Sequence, residues 1–314
     1  GEFQWDSNFQ ISFNRNTLVA LSGTTAASIV GYGQWSDVVC VSEIGKPLYN
    51  FYGYIVEGVY ESLEDIENSP KTAKHPSNGV YNRANTVWVG DLKYKDINED
   101  GVINDQDRTD IGSPLPKFTF GWNNTFRYKG FDLNIFLNGS YGNKVLNYSL
   151  MNGPSGGLAS MRSAWVNQNN DAIKDRAQLV PIDPDKVYED GSMWYNDITN
   201  VKVANSGTKT PRPTLNDPND NDRLSTRYIE DGSYLRIKNL TLGYTFPKRW
   251  MNKINFDNIR VYCNIQNLYT FTKYSGYDPE VGASTQDSSG YAYGVDNGRY
   301  PSPTTYSFGV SLTF

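Results

Sequence analysis

The stretch KFTFGWNNTFRYKGFDLNIFLNGSY, Lys117–Tyr141, decides how the rest of the chain is read. In its first half Phe118, Phe120, Trp122, Phe126 and Tyr128 share one parity, and Thr119, Gly121, Asn123, Thr125 and Arg127 the other. In its second half Phe131, Leu133, Ile135, Leu137 and Tyr141 alternate with Asp132, Asn134, Asn138 and Ser140. Successive side chains of a strand point to opposite faces, so this spacing predicts two strands, each apolar on one face and polar on the other. Tyr128-Lys129-Gly130 supplies a tight turn between them. Each run exceeds the ~5–6 residues of an ordinary strand and reaches the ~9–11 that a tilted strand needs to cross a bilayer. One sheet of a water-soluble sandwich would alternate in the same way, so the hairpin alone leaves both readings open.

Four further runs repeat the pattern: Phe3–Asn14, Ser233–Pro247, Ile259–Phe271 and Thr304–Phe314. In the second of these, Leu240, Leu242, Tyr244 and Phe246 share a parity, whereas Leu235 and Ile237 sit on the opposite one. The phase slips near Lys238-Asn239, which predicts either a β-bulge there or a strand whose first residues rise above the apolar zone. The connectors are unequal. Those at 128–130 and 248–255 are short, while those at 15–116, 142–232 and 272–303 are long and polar. Barrels of the outer membrane have brief turns at one end and large loops at the other, and aromatic residues near the strand ends fit their interfacial girdles.

The fold expected is therefore all-β: an antiparallel transmembrane β-barrel segment of about six strands with long extracellular loops. Phe118, Trp122, Leu133, Ile135, Leu137, Leu242, Val261, Ile265, Phe308 and Val310 are expected to face lipid. Asn123, Thr125, Asp132, Asn134, Thr241, Asn264 and Ser307 are expected to face the lumen. Pairing should follow sequence order, with the first and last runs outermost. Six strands are fewer than the about eight of the smallest closed barrels. An open edge in lipid would leave backbone groups unsatisfied at several kcal/mol each, so the chain is expected to be part of a larger barrel. It also enters a strand at once, without a signal-like start, as the interior of a longer protein would.

Composition removes other classes. The 314 residues carry a net charge of −5, against a phosphate-binding surface, so no nucleic-acid partner is expected. No run approaches the ~18 apolar residues of a spanning helix. Cys40 and Cys263 give no disulfide framework, and a single histidine, His75, argues against histidine-based catalysis or a zinc site. Adjacent carboxylates such as Glu230-Asp231 lie in polar loop sequence, where carboxylates are usually just solvated, and no enzyme is expected.

Within the first long connector, DINEDGVINDQD (Asp96–Asp107) has the spacing of a calcium loop. Calcium takes several oxygens on a sharply turning backbone. Asp96, Asn98 and Asp100 would supply side-chain oxygens, Val102 its carbonyl, Asn104 a contact through water, and Asp107 the closing carboxylate. Asp107 stands where a bidentate Glu is usual, and no flanking helices are evident, so a metal-free loop of Asx-turns is the competing reading. In the second connector, Leu158–Ala172 has helical spacing, and Trp165, Trp194 and Tyr195 are candidates to stack on sugar rings or to pin the loop to its neighbours. Taken by themselves, the aspartate loop and these aromatics also suit a soluble calcium-dependent carbohydrate-binding β-sandwich module.

Several stretches carry a resemblance: GDLKYKDINEDGVINDQDRTDIGSPLPKFTFGWNNTFRYKGFDLNIFLNGSYGNK, STRYIEDGSYLRIKNLTLGYTFP, NIRVYCNIQNLYTFTKYSGYDPE and the terminal SFGVSLTF. Together they resemble the C-terminal barrel of the SusC/RagA family of TonB-dependent transporters over nearly the whole chain. The resemblance implies a barrel of twenty-two strands, of which residues 1–314 would be roughly the last quarter, with the plug domain and N-terminal strands outside it. It further implies a SusD-like surface lipoprotein on the outer face and a TonB complex engaged through the N-terminal region. The remainder of the same barrel and the lipid bilayer would be the other partners. The expected setting is the outer membrane of a Gram-negative bacterium, and the expected activity is import of oligosaccharides or oligopeptides.

Overall fold

The computed structural model describes residues 2–21, 28–33, 38–152, 175–214, 217–251, 256–283 and 290–314. Six long strands form one sheet: β1 (Phe3–Ser12), β2 (Phe118–Tyr128), β3 (Phe131–Tyr141), β4 (Tyr234–Thr245), β5 (Asn258–Thr272) and β6 (Thr305–Thr313). They pair in sequence order, every pair antiparallel, with β1 and β6 at the edges. Neither a closed six-stranded barrel nor a two-sheet sandwich is formed among these strands. No helix among the described residues is long and apolar enough to cross a membrane, a test that does not bear on strands.

The register keeps each parity on one face across the sheet. Trp5 lies opposite Phe126, Phe126 opposite Leu133, Leu133 opposite Leu242, Leu242 opposite Cys263, and Cys263 opposite Phe308. On the other face Asp6, Thr125, Asn134, Thr241, Asn264 and Ser307 form the corresponding row. The two sets expected from parity are thus on opposite sides. The phase slip is a bulge: β4 shifts register against both neighbours between Ile237 and Asn239. This extra residue returns Ile237 opposite Leu137 and Leu235 opposite Gly139, on the apolar face. The hairpin β2–β3 closes through Lys129 (φ 47°) and Gly130 (φ 86°). Two successive left-handed residues make the two-residue turn whose twist matches that of the strands it joins.

The three long connectors fold together into a lobe. One core holds Trp88, Tyr60, Tyr94, Ile66 and Leu92 from the first connector with Val201 and Ile198 from the second. A second core joins all three, through Phe51 and Val39, Leu146 and Tyr228, and Val295 and Ala292. No residue of the six long strands belongs to either core.

Candidate functional site in the loop lobe

Backbone amides organise the loop Asp96–Asp107. Asp96 accepts from the N–H groups of Glu99 and Gly101, both at 2.7 Å, and Asn98 and Asp100 accept from Asp100 and Val102 at 3.2 and 2.8 Å. Asp107, fully buried, accepts from the N–H of Ile97 with one oxygen and from that of Asn104 with the other, while the Asn104 side-chain oxygen accepts from the Gln106 N–H at 2.8 Å. Position twelve is therefore engaged as a cap on the short turn Asp105–Asp107. Val102 forms a bridge with Lys71, and Ile103 drops into the first core. Among the described residues no three His, Cys, Asp or Glu side chains are grouped to hold a metal ion. The residue types suit calcium, but the loop holds its shape by Asx-turns.

Of the aromatic candidates, Trp165 and the helix expected over 158–172 lie outside the described residues. Trp194 packs against the first core and meets Tyr195 edge-on, with ring centroids 5.7 Å apart. Arg83 covers the Tyr195 ring at 5.0 Å. The pair pins the second connector to the first.

The lobe has an opening that parity and motif spacing did not point to. A cleft of about 560 Å³ lies where the end of the aspartate loop meets the run 220–224 of the second connector. Its charged wall is Asp105, Arg108, Asp220, Asp222 and Arg223, and its apolar wall includes Ile103, Val38 and Leu224. Tyr54 lines the base, donating to Asp105 at 3.1 Å, and burial pushes its hydroxyl pKa up against the opposing pull of Arg223. Arg223 is held by the carbonyls of Asp220 and Asn219 at 3.0 and 2.8 Å, and Arg108 by those of Val38 and Tyr52, both at 2.9 Å.

Next to the cleft a buried polar network ties the two connectors. Arg212 meets Asp91 at 2.8 Å, Asn221 donates to Asp91 at 3.3 Å and to Asp217 at 2.7 Å, and Asn219 donates to Asn221 at 2.9 Å. Burial, reinforced by the nearby charge of Asp222, raises the Asp217 pKa to about 7 although two N–H groups pull the other way. Such a network is costly half-satisfied and specific when complete. The run NDPNDND at 216–222 read only as loop, because Asn and Asp signal turns and solvated loops equally well in sequence.

The lobe is anchored to the polar face of the sheet through Arg236 on β4, only 2% exposed. It donates to Asp278 at 2.5 Å, Glu280 at 2.7 Å and Thr270 at 2.8 Å. Burial would raise the Asp278 pKa, but the amides of Glu280 and Ser302 and the Arg236 guanidinium outweigh it and hold the carboxyl below its usual value.

Comparison with known proteins decides the family. TonB-dependent receptor P3 of Formosa agariphila is 30% identical over 321 residues, covering 100% of this chain and 27% of the receptor. TonB-dependent receptor SusC of Bacteroides thetaiotaomicron is 23% identical over 315 residues, again along 100% of the chain. The chain belongs to the SusC/RagA-type TonB-dependent receptors. It spans about a quarter of the length of the curated receptors it matches, which accounts for six strands with open edges. No family model matches. Among solved structures, the RagAB peptide transporter superposes with a TM-score of 0.62 at 18% identity, covering 100% of the chain and 27% of the transporter chain. The RagAB peptide importer in its open-open state gives 0.58 at 21%. At this identity the likeness is one of fold: the six strands are a segment of an antiparallel transmembrane β-barrel of SusC/RagA type.

Proposed function

We propose that the protein containing this chain is a TonB-dependent nutrient importer of the outer membrane of a Gram-negative bacterium, taking up oligosaccharides or oligopeptides. The observation that carries the proposal is the sheet: six antiparallel strands in sequence order, apolar on one face and polar on the other, with the lobe at the end opposite the Lys129-Gly130 turn. In this reading the apolar face lies in the bilayer and the polar face lines the lumen. The edges β1 and β6 pair with the remainder of the same barrel. A SusD-like surface lipoprotein covers the lobe side, and the TonB complex acts through the receptor's N-terminal region. The relatives are receptors, and the chemistry assigned here is binding and passage with no catalytic step. A soluble calcium-dependent carbohydrate module is disfavoured because its sheet would bury one face against a second layer; here the apolar face is open, Phe308 at 79% exposure. The test is uptake by cells expressing the full-length receptor. Uptake that is lost on deleting either the receptor or TonB supports the reading, and uptake indifferent to both contradicts it.

Calcium in the Asp96–Asp107 loop remains a separate, smaller proposal. It rests on residue type, with Asp96, Asn98, Asp100, the Val102 carbonyl, Asn104 and Asp107 as the donors and a structural role as its consequence.

A further inference from the structure

The apolar face of the sheet is not uniform: it is hollowed near the end farthest from the lobe. Leu242 and Tyr244 on β4 stand opposite Cys263 and Val261 on β5, which in turn stand opposite Phe308 and Val310 on β6. The two β5 side chains are short. Between Leu242 and Tyr244 on one flank and Phe308 on the other they leave a trough of about 500 Å³. Granted the importer reading above, this face lies in the bilayer and the trough in its periplasmic leaflet. A lipid tail is as apolar as leucine, and a trough gives it contacts on both flanks that a flat wall does not.

An aromatic path leads from the trough to a cationic end. Tyr244 meets Phe131 with ring centroids 4.5 Å apart and Phe246 at 5.1 Å, and Phe246 meets Trp250 at 6.2 Å. Arg249 lies over the Trp250 ring at 5.8 Å. Lys248, Arg249 and Trp250 are all exposed on the short helical turn Lys248–Met251. Neither cation is in an ion pair among the described residues, and the sequence from Lys248 to Phe256 holds no Asp or Glu. The other turn at this end differs, because Lys129 is met there by Glu2 at 3.3 Å. An exposed Trp beside unpaired Lys and Arg is the chemistry that meets lipid headgroups at a membrane surface. Phe246 lies four residues beyond Leu242, about 14 Å along a strand at ~3.4 Å per residue. Half of the ~30 Å hydrocarbon core is about 15 Å, so one lipid can reach both the trough and the cations.

We propose that the trough and the Lys248-Arg249 pair form one binding site for an anionic phospholipid, with an acyl chain between Tyr244 and Phe308 and the phosphate on the two cations. The test is native mass spectrometry of the full-length receptor in detergent, titrated with dioleoyl phosphatidylglycerol or dioleoyl phosphatidylcholine. Two variants are compared. Lys248→Gln with Arg249→Gln removes the cations at exposed positions, and Cys263→Phe fills the trough with an apolar side chain that suits the same face. The expected result is phosphatidylglycerol bound about thirtyfold more tightly than phosphatidylcholine, each cation contributing about fivefold. The double variant should abolish that preference, and Cys263→Phe should weaken both lipids while keeping it. Equal binding of the two lipids by the unaltered receptor overturns the proposal, as does a preference that survives the double variant. Binding indifferent to Cys263→Phe overturns the trough as the seat of the chain. Each of these failures leaves TonB-dependent uptake standing, whereas uptake indifferent to receptor and TonB, with the lipid bound as expected, overturns the importer reading alone.

Discussion

The sheet and the lobe solve the burial problem in opposite ways. In the lobe, Trp88, Tyr60, Phe51 and Leu146 are each 0% exposed and packed among other connectors. In the sheet, Trp122 and Leu242, on inner strands with both neighbours present, are 40% and 51% exposed, whereas Arg236 on the polar face is 2% exposed. A soluble domain buries its apolar face against a second layer. A barrel wall inverts this, and leaves the apolar face for lipid. The contrast means that the lobe is a water-folded body with its own cores, carried by strands that have none.

The largest expected effect breaks the lobe alone. Trp88→Ala removes a wholly buried ring, at a cost of about 3–5 kcal/mol. Limited proteolysis of the full-length receptor should then cut the connectors while the strands stay protected; protection unchanged would mean the lobe has no core of its own.

A paired substitution sharpens the comparison next. Leu242→Arg on the apolar face of β4 should cost about 2–4 kcal/mol if it lies near the bilayer midplane. Val187→Arg, at an 82% exposed position in the lobe, should stay within about ±0.5 kcal/mol. Equal effects in a bilayer unfolding titration would erase the distinction between the regions.

A smaller effect concerns pH and the lobe's polar network. The Asp217 pKa is raised to about 7 by burial and the charge of Asp222. The folded lobe thus keeps a proton that the unfolded chain has already released. Its stability should be highest below the ordinary carboxylate range, fall as pH rises through about 7, and then level off. Asp217→Asn should flatten that slope in thermal melts of the receptor, and a slope that survives the change refutes the assignment. Asp222 and Asp91 are the charges that act on Asp217 and stay unchanged in the comparison.

The two regions were also unequally legible. Strand parity placed all six sheet strands and their order, because an apolar and a polar face impose period two along each strand; it marked the phase slip at Lys238-Asn239 with two readings open, and the register makes it a bulge. The lobe gave less. The two cores were not foreseen, since Val39, Trp88 and Val295 come from distant short strands and loops without a sustained period. The cleft was missed for the same reason: Tyr54, Asp105 and Asp220 meet only after the first two connectors fold together. Arg236 shares the parity of Leu240 and Leu242 in the sequence and reaches the polar face only through the bulge, so parity alone hid it.

The smallest effect expected is that of calcium. With every Asx-turn in Asp96–Asp107 already satisfied by backbone N–H groups, removing the ion should leave the loop's conformation in place. If calcium binds the folded loop alone, stability rises only with the logarithm of the free ion concentration over its Kd. A raised melting point with calcium, abolished by Asp96→Ala, supports the site; the same melting curve with calcium and with chelator refutes it.

The central claim, that one face of the sheet meets lipid and the other the lumen, is tested most directly along β6. Nitroxide labels at single cysteines from Thr305 to Thr313, in the full-length receptor reconstituted in bilayers with Cys40 and Cys263 replaced, report access to oxygen in lipid or to a water-soluble relaxant. The account predicts strict alternation, with 306, 308, 310 and 312 open to lipid and 305, 307, 309 and 311 open to water. Uniform access to water along the strand, or the opposite phase, would contradict it.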